Sequence, residues 1–123
     1  MIKAKHFMDG VEDDDGIRIW VEPIGLTRDL CQWCRVAFVL THVAPPRELW
    51  RWFTGHPREY EEFRGRYHEF LQHSPFLPAL VGIARLAGQK DLTFLHQSDD
   101  PAHNTAVALH EFISELEAHC QPD

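Results

Sequence analysis

The sequence predicts a single α/β domain with a small, mostly parallel sheet and packed helices. Strand-like segments alternate with longer helical ones, the pattern that favours parallel pairing through helical crossovers. A length of 123 residues suits one domain rather than two. Apolar content of 44%, with four Trp, eight Phe and two Tyr, is enough to build a core without disulfide staples.

A short first segment, Ile2 to Met8, is closed by the acidic turn Glu12-Asp13-Asp14-Asp15-Gly16. Ile17, Ile19 and Val21 then alternate with Arg18, Trp20 and Glu22, the period-two signature of a strand, which Pro23 and Gly25 end. The run Val36 to Leu40 is continuously apolar and reads as a second, more deeply buried strand. Pro45-Pro46 opens a helix ending near Thr54-Gly55, and Pro57 fits the first turn of the next one. In that helix Tyr60, Phe63, Tyr67, Phe70 and Leu71 form an apolar stripe. Ser74-Pro75 predicts the start of a third helix, running through Leu80, Ala84 and Ala87 to Gly88. Leu92 to Leu95 is a short buried strand. Asp100 with Pro101 behind it predicts the cap of a last helix, whose apolar face holds Ala102, Ala106, Leu109, Ile113 and Leu116.

Charge narrows the function. Nineteen acids against twelve bases leave a net charge of −7, which disfavours nucleic acid as a partner. The basic residues Arg47, Arg51, Arg58, Arg64 and Arg66 are interleaved with Glu48, Glu59, Glu61 and Glu62, as on a solvated helix face. No apolar run approaches the ~20 residues of a membrane span. The first residues carry no export signal and the cysteine count is odd, so a cytoplasmic location is expected.

Cys31-Gln32-Trp33-Cys34 is open to three readings: a structural pair, a metal site or a redox pair. Zinc needs two further ligands, which His42 and Cys120 would have to supply, and the pair reads as the entry to a strand rather than a helix N-terminus. No cofactor or metal is assigned. The nine histidines are scattered with none at i and i+4; His103 and His110 read as surface or cap residues. No phosphate loop, nucleophile elbow or His-Glu-x-x-His pattern occurs.

Position is more informative than motif. Ligands of open α/β sheets bind beyond the carboxyl ends of the strands. Here a strand runs into His96-Gln97-Ser98-Asp99 and a helix start, where free N–H groups suit an anionic or carbonyl oxygen. The candidate ligand site comprises Arg18, Glu22, Gln97, Ser98 and Asn104, with a small anionic ligand expected. Arg18 would supply charge, Glu22 an acid/base carboxylate, and the others orienting hydrogen bonds. The simpler readings are a turn role for Asp15, a solvent position for Glu22 and capping for Asp100. A homodimer built on Trp50, Trp52 and Phe53 competes with plain core packing of those three.

The blocks Asp14-Asp15-Gly16-Ile17-Arg18-Ile19-Trp20-Val21-Glu22; Val43-Ala44-Pro45-Pro46-Arg47-Glu48-Leu49; Trp52-Phe53; Glu62-Phe63-Arg64-x-Arg66-Tyr67; Leu92 to Leu95; and Asn104-x-Ala106-Val107-x-Leu109 together resemble the YeaO-like family, the domain of unknown function 488. They cover nearly the whole chain in the family's order. The family's loop Asp-Arg-x-Trp-Pro-Arg-Gly-Leu is shortened here to Glu22-Pro23-Ile24-Gly25-Leu26, without its arginines and tryptophan, and its Asn-His-Ala becomes Asn104-Thr105-Ala106. The resemblance implies a divergent member: a non-catalytic or degenerate module for a small ligand or protein, the alternative being an enzyme acting on a small anionic substrate at the strand ends.

Overall fold

Four strands, β1 (Ile2–His6), β2 (Ile17–Trp20), β3 (Phe38–Val39) and β4 (Leu92–His96), pair in parallel in the order β1-β4-β2-β3. The computed structural model describes residues 1–120, and side chains through Ala118, so the side chains of His119 and Cys120 lie outside the described residues. Five α-helices complete this one α/β domain: α1 (Arg28–Trp33), α2 (Arg47–Gly55), α3 (Tyr60–Gln72), α4 (Leu77–Ala87) and α5 (Thr105–Cys120). Among the described residues no helix is long and apolar enough to cross a membrane.

The register sorts side chains onto two faces. Leu92 aligns with Ile2 and Ile17, and Phe94 with Ala4 and Ile19, so one face is wholly apolar. It packs into one core with Phe53 of α2, Phe63, Tyr67 and Leu71 of α3, Leu80 and Ala84 of α4, and Leu109 and Ile113 of α5. Each such large side chain, once buried, contributes roughly 1.5–3 kcal/mol. The expected stripe on α3 is therefore the inward face of that helix, and it is fixed further by the Tyr67 hydroxyl, which donates to the Val43 carbonyl at 2.6 Å.

The opposite face carries Lys3, Lys5, Arg18, Thr93, Trp20 and Leu95. The loop between β1 and β2 folds over it, with Phe7 edge-on to Trp20 and the Thr93 hydroxyl donating to the Asp15 carbonyl at 2.7 Å. This cover buries Arg18 and Trp20, while Ile19 is buried in the core on the other face, so β2 is buried on both faces despite its alternating sequence.

Several expected details shift. The run Val36 to Leu40 supplies only the two-residue β3, whose Phe38 and Val39 are exposed, because β3 is the edge strand and pairs with β2 alone. Pro57 precedes α3 rather than starting it. The Ser74 hydroxyl accepts from the Phe76 amide in a turn, and α4 begins at Leu77, with Pro78 in its first turn. Asp100 does not cap α5. Its carboxylate accepts from the Ala102 amide in the preceding bend, and Asn104 is the cap, its Oδ1 accepting from the Val107 amide at 2.9 Å. Cys31 and Cys34 lie not at a strand but on α1 and its C-terminal cap.

Candidate functional site

Of the five expected site residues, four meet and one does not. Glu22, Gln97, Ser98 and Asn104 line a cavity of about 380 Å³ beyond the C-terminal ends of β2 and β4, between α2 and the start of α5. Arg18 lies elsewhere, under the β1–β2 loop. Its guanidinium donates to Asp15 Oδ2 at 2.6 Å, to the Cys34 carbonyl at 3.0 Å and to the Asp9 carbonyl at 3.2 Å. Arg18 thus ties three segments together rather than facing the cavity.

Asp15 is the hub of that second cluster. Its carboxylate, 1% exposed, meets Lys3, Lys5 and Arg18 and accepts from the Glu12 amide. Burial alone would raise its pKa, but these donors outweigh it and hold the carboxyl well below the usual range. Its role exceeds the turn formation read from the sequence. The signal was present as three cationic side chains, Lys3, Lys5 and Arg18, at alternating strand positions facing one way.

Glu22 is buried, not at a solvent position: it is 2% exposed. Oε2 accepts from the Gln97 amide at 3.3 Å, while Oε1 is buried without a hydrogen-bond partner. The Thr105 hydroxyl and Trp50 indole approach the carboxyl and temper its shift, but neither satisfies Oε1. Burial dominates and raises the pKa of Glu22 above its ordinary value. An acid with a raised folded pKa stabilises the fold fully below its unfolded value of 4.5 and loses that contribution as pH rises through the folded value. Comparing urea unfolding of Glu22→Gln and wild type from pH 4 to 8 should show the wild type losing stability relative to the variant as pH rises. A pH-independent difference would mean that Glu22 titrates alike in the folded and unfolded chain, with no raised pKa.

The remaining expected residues brace the site. The Ser98 hydroxyl accepts from the Asp100 amide, and Asn104 Nδ2 donates to the Asp100 carbonyl while its Oδ1 caps α5. Sequence reasoning missed the apolar wall: Trp50 and Phe53 of α2 and Pro57 line the cavity. Trp50 and Trp52 are half-buried and Phe53 is buried, stacked on Phe63 at 4.2 Å. Trp52 stacks with the His56 ring, and the Arg66 guanidinium lies over its ring. These aromatics build the α2–α3 packing and the cavity wall rather than an exposed patch. Asp99 and Asp100 also line the cavity, and among the described residues its lining includes no lysine or arginine.

A second recess adjoins it at the ends of β1 and β4, where His6 and His96 are register partners with rings edge-on at 5.8 Å. Each Nδ1 accepts the backbone N–H two residues on, from Met8 and from Ser98, both at 3.1 Å. The ring proton therefore sits on Nε2 in both. Burial and the neighbouring His6 push the pKa of His96 down to about 4. Long-range ¹H–¹⁵N spectra should show both rings as Nε2–H tautomers, with His96 still neutral at pH 6. A proton on Nδ1 of either ring in its neutral form, or titration of His96 near pH 6.5, would contradict this arrangement.

Cys31 is half-buried and Cys34 buried, both as free thiols, with Cys34 Sγ 3.9 Å from Met8 Sδ. Among the described residues no group of three or more His, Cys, Asp or Glu is arranged to hold a metal ion.

Fold and cavity define a small parallel α/β domain with a recess at the carboxyl edge of its sheet. Residues 1–122 match the model of the inactive DUF488-N3 subclade, and the chain belongs to that family. This bears out the resemblance to the domain of unknown function 488. Uncharacterized proteins of Mycobacterium bovis and of two strains of Mycobacterium tuberculosis are each 27% identical over 119 residues, covering 92% of this chain and 93% of theirs. No solved structure matches the chain.

Proposed function

We propose that this protein is a non-catalytic module that holds a small molecule in the cavity between α2 and α5. The observation that carries this is Glu22, a residue of the cavity lining whose Oε1 is buried without a partner. A buried orphan acceptor or donor costs about 1–3 kcal/mol, a burden that a bound ligand would relieve. The volume lies within the range of small-molecule sites, and apolar walls with a few converging polar groups are their usual make-up. The reading as non-catalytic draws on the family, whose matching subclade is described as inactive, and on the polar side chains themselves. Ser98, Asn104 and Asp100 are engaged in holding the loop before α5. Free thiols at Cys31 and Cys34 fit a reducing compartment, the cytoplasm.

The test is a ¹H–¹⁵N titration of the whole protein with a panel of small amines, alcohols, amides and carboxylates. At least one class should move the amides of Gln97, Ser98 and Thr105 together with the Trp50 indole, and be recovered chemically unchanged. Shifts confined to other surfaces would refute the site; conversion of the ligand would refute the non-catalytic reading.

A further inference from the structure

Resting on that ligand reading, we infer that the cavity takes a small organic cation, a primary ammonium carried on an apolar or aromatic body, rather than the anion expected from the sequence. The anion was expected because a helix start attracts negative charge. In the folded chain that attraction is already partly used. Asn104 caps α5 with its own side chain, and the Glu22 carboxyl occupies the space between the Gln97 amide and Thr105.

What remains on offer is acidic. Glu22 Oε1 is a buried oxygen without a partner, and Asp99 and Asp100 stand at the same cavity. The His103 imidazole, which also lines it, has its Nδ1 on Asp100 Oδ2 at 3.0 Å. Among the described residues the lining holds no lysine or arginine to neutralise a carboxylate or phosphate, and its one imidazole, His103, is already directed at Asp100. An ammonium brings three N–H donors and a positive charge: one donor satisfies Oε1, and the charge is favoured by the carboxylates at the rim. Trp50 and Phe53 supply the wall for an apolar body and aromatic faces for the charge.

Three probes of nearly equal shape separate the possibilities: benzylammonium, benzyl alcohol and benzoate, each titrated into the ¹⁵N-labelled full chain. Benzylammonium should move the Gln97, Ser98 and Thr105 amides and the Trp50 indole, and bind at least about tenfold more tightly than the alcohol. In Glu22→Gln, checked for a native-like spectrum, its affinity should fall by about tenfold or more. Benzoate binding at the same resonances, as tightly as the amine, would overturn the cationic inference and leave the cavity reading standing. Unchanged amine affinity in a folded Glu22→Gln protein would overturn it equally. If none of the three moved those resonances, both the inference and the cavity reading would fall. The wild-type comparison does not depend on the variant folding.

Discussion

Replacing Gly16 with alanine should destabilise the protein by about 3–5 kcal/mol, near the upper end for a single substitution. Gly16 has φ +63°, in the left-handed region that side chains rarely enter. A Cβ there would stand 1.9 Å from the Asp91 carbonyl oxygen and 2.5 Å from its carbon, both backbone atoms. That carbonyl accepts the Ile17 amide at 3.0 Å, the bond that leads β2 into register beside β4. Relief of the clash would pull the strand start away from its partner, so strain and lost pairing add. Urea unfolding reads the effect directly. A loss below about 1 kcal/mol would mean that this turn yields easily and does not set the register of β2.

Asp15→Ala should cost a similar amount, about 3–5 kcal/mol, for an electrostatic reason. Arg18 and Asp15 are both almost fully buried, and removal of the carboxylate leaves a guanidinium without its counter-charge. Lys3 and Lys5 are partly exposed, so water replaces their lost partner at little cost. The pH dependence has a fixed sign. A carboxyl with a depressed folded pKa stabilises above its unfolded value of 3.8, and that stability is lost as pH falls through the folded value. The wild type should therefore lose stability on acidification, and Asp15→Asn should show less of that loss. Equal acid sensitivity in the two proteins would show that the cluster does not govern acid unfolding.

Where the sequence was legible, short-range patterns decided the structure. The alternation from Ile17 onward, the stripe from Tyr60 to Leu71 and the apolar Leu92 to Leu95 each reappear as β2, α3 and β4. Asn104 and Ser98, expected as ligand residues, line the cavity, and their side chains hold the loop in shape. Failures came where a long-range partner overrode a local signal. Val36 to Leu40 looks like an interior strand, yet its place at the sheet edge exposes Phe38 and Val39. Arg18 and Glu22 share an alternating phase, but Arg18 is captured by Asp15 while Glu22, beyond the end of β2, meets the Gln97 amide near the start of α5. No spacing rule announces that Trp50, more than 25 positions from Glu22, shares its cavity. The inference of a cationic ligand rests on a feature of the same kind: a helix start is visible in sequence, but the carboxyl folded beside it is not.

The most direct test follows the Glu22 side-chain carboxyl itself, by ¹³C chemical shift across a pH titration, with and without saturating benzylammonium. Contact with a bound ammonium favours the ionised carboxylate, so the Glu22 titration should move to lower pH when the amine is present. A titration unchanged by saturating amine would show that nothing in the cavity meets Oε1, and would contradict Glu22 as the anchor of the site.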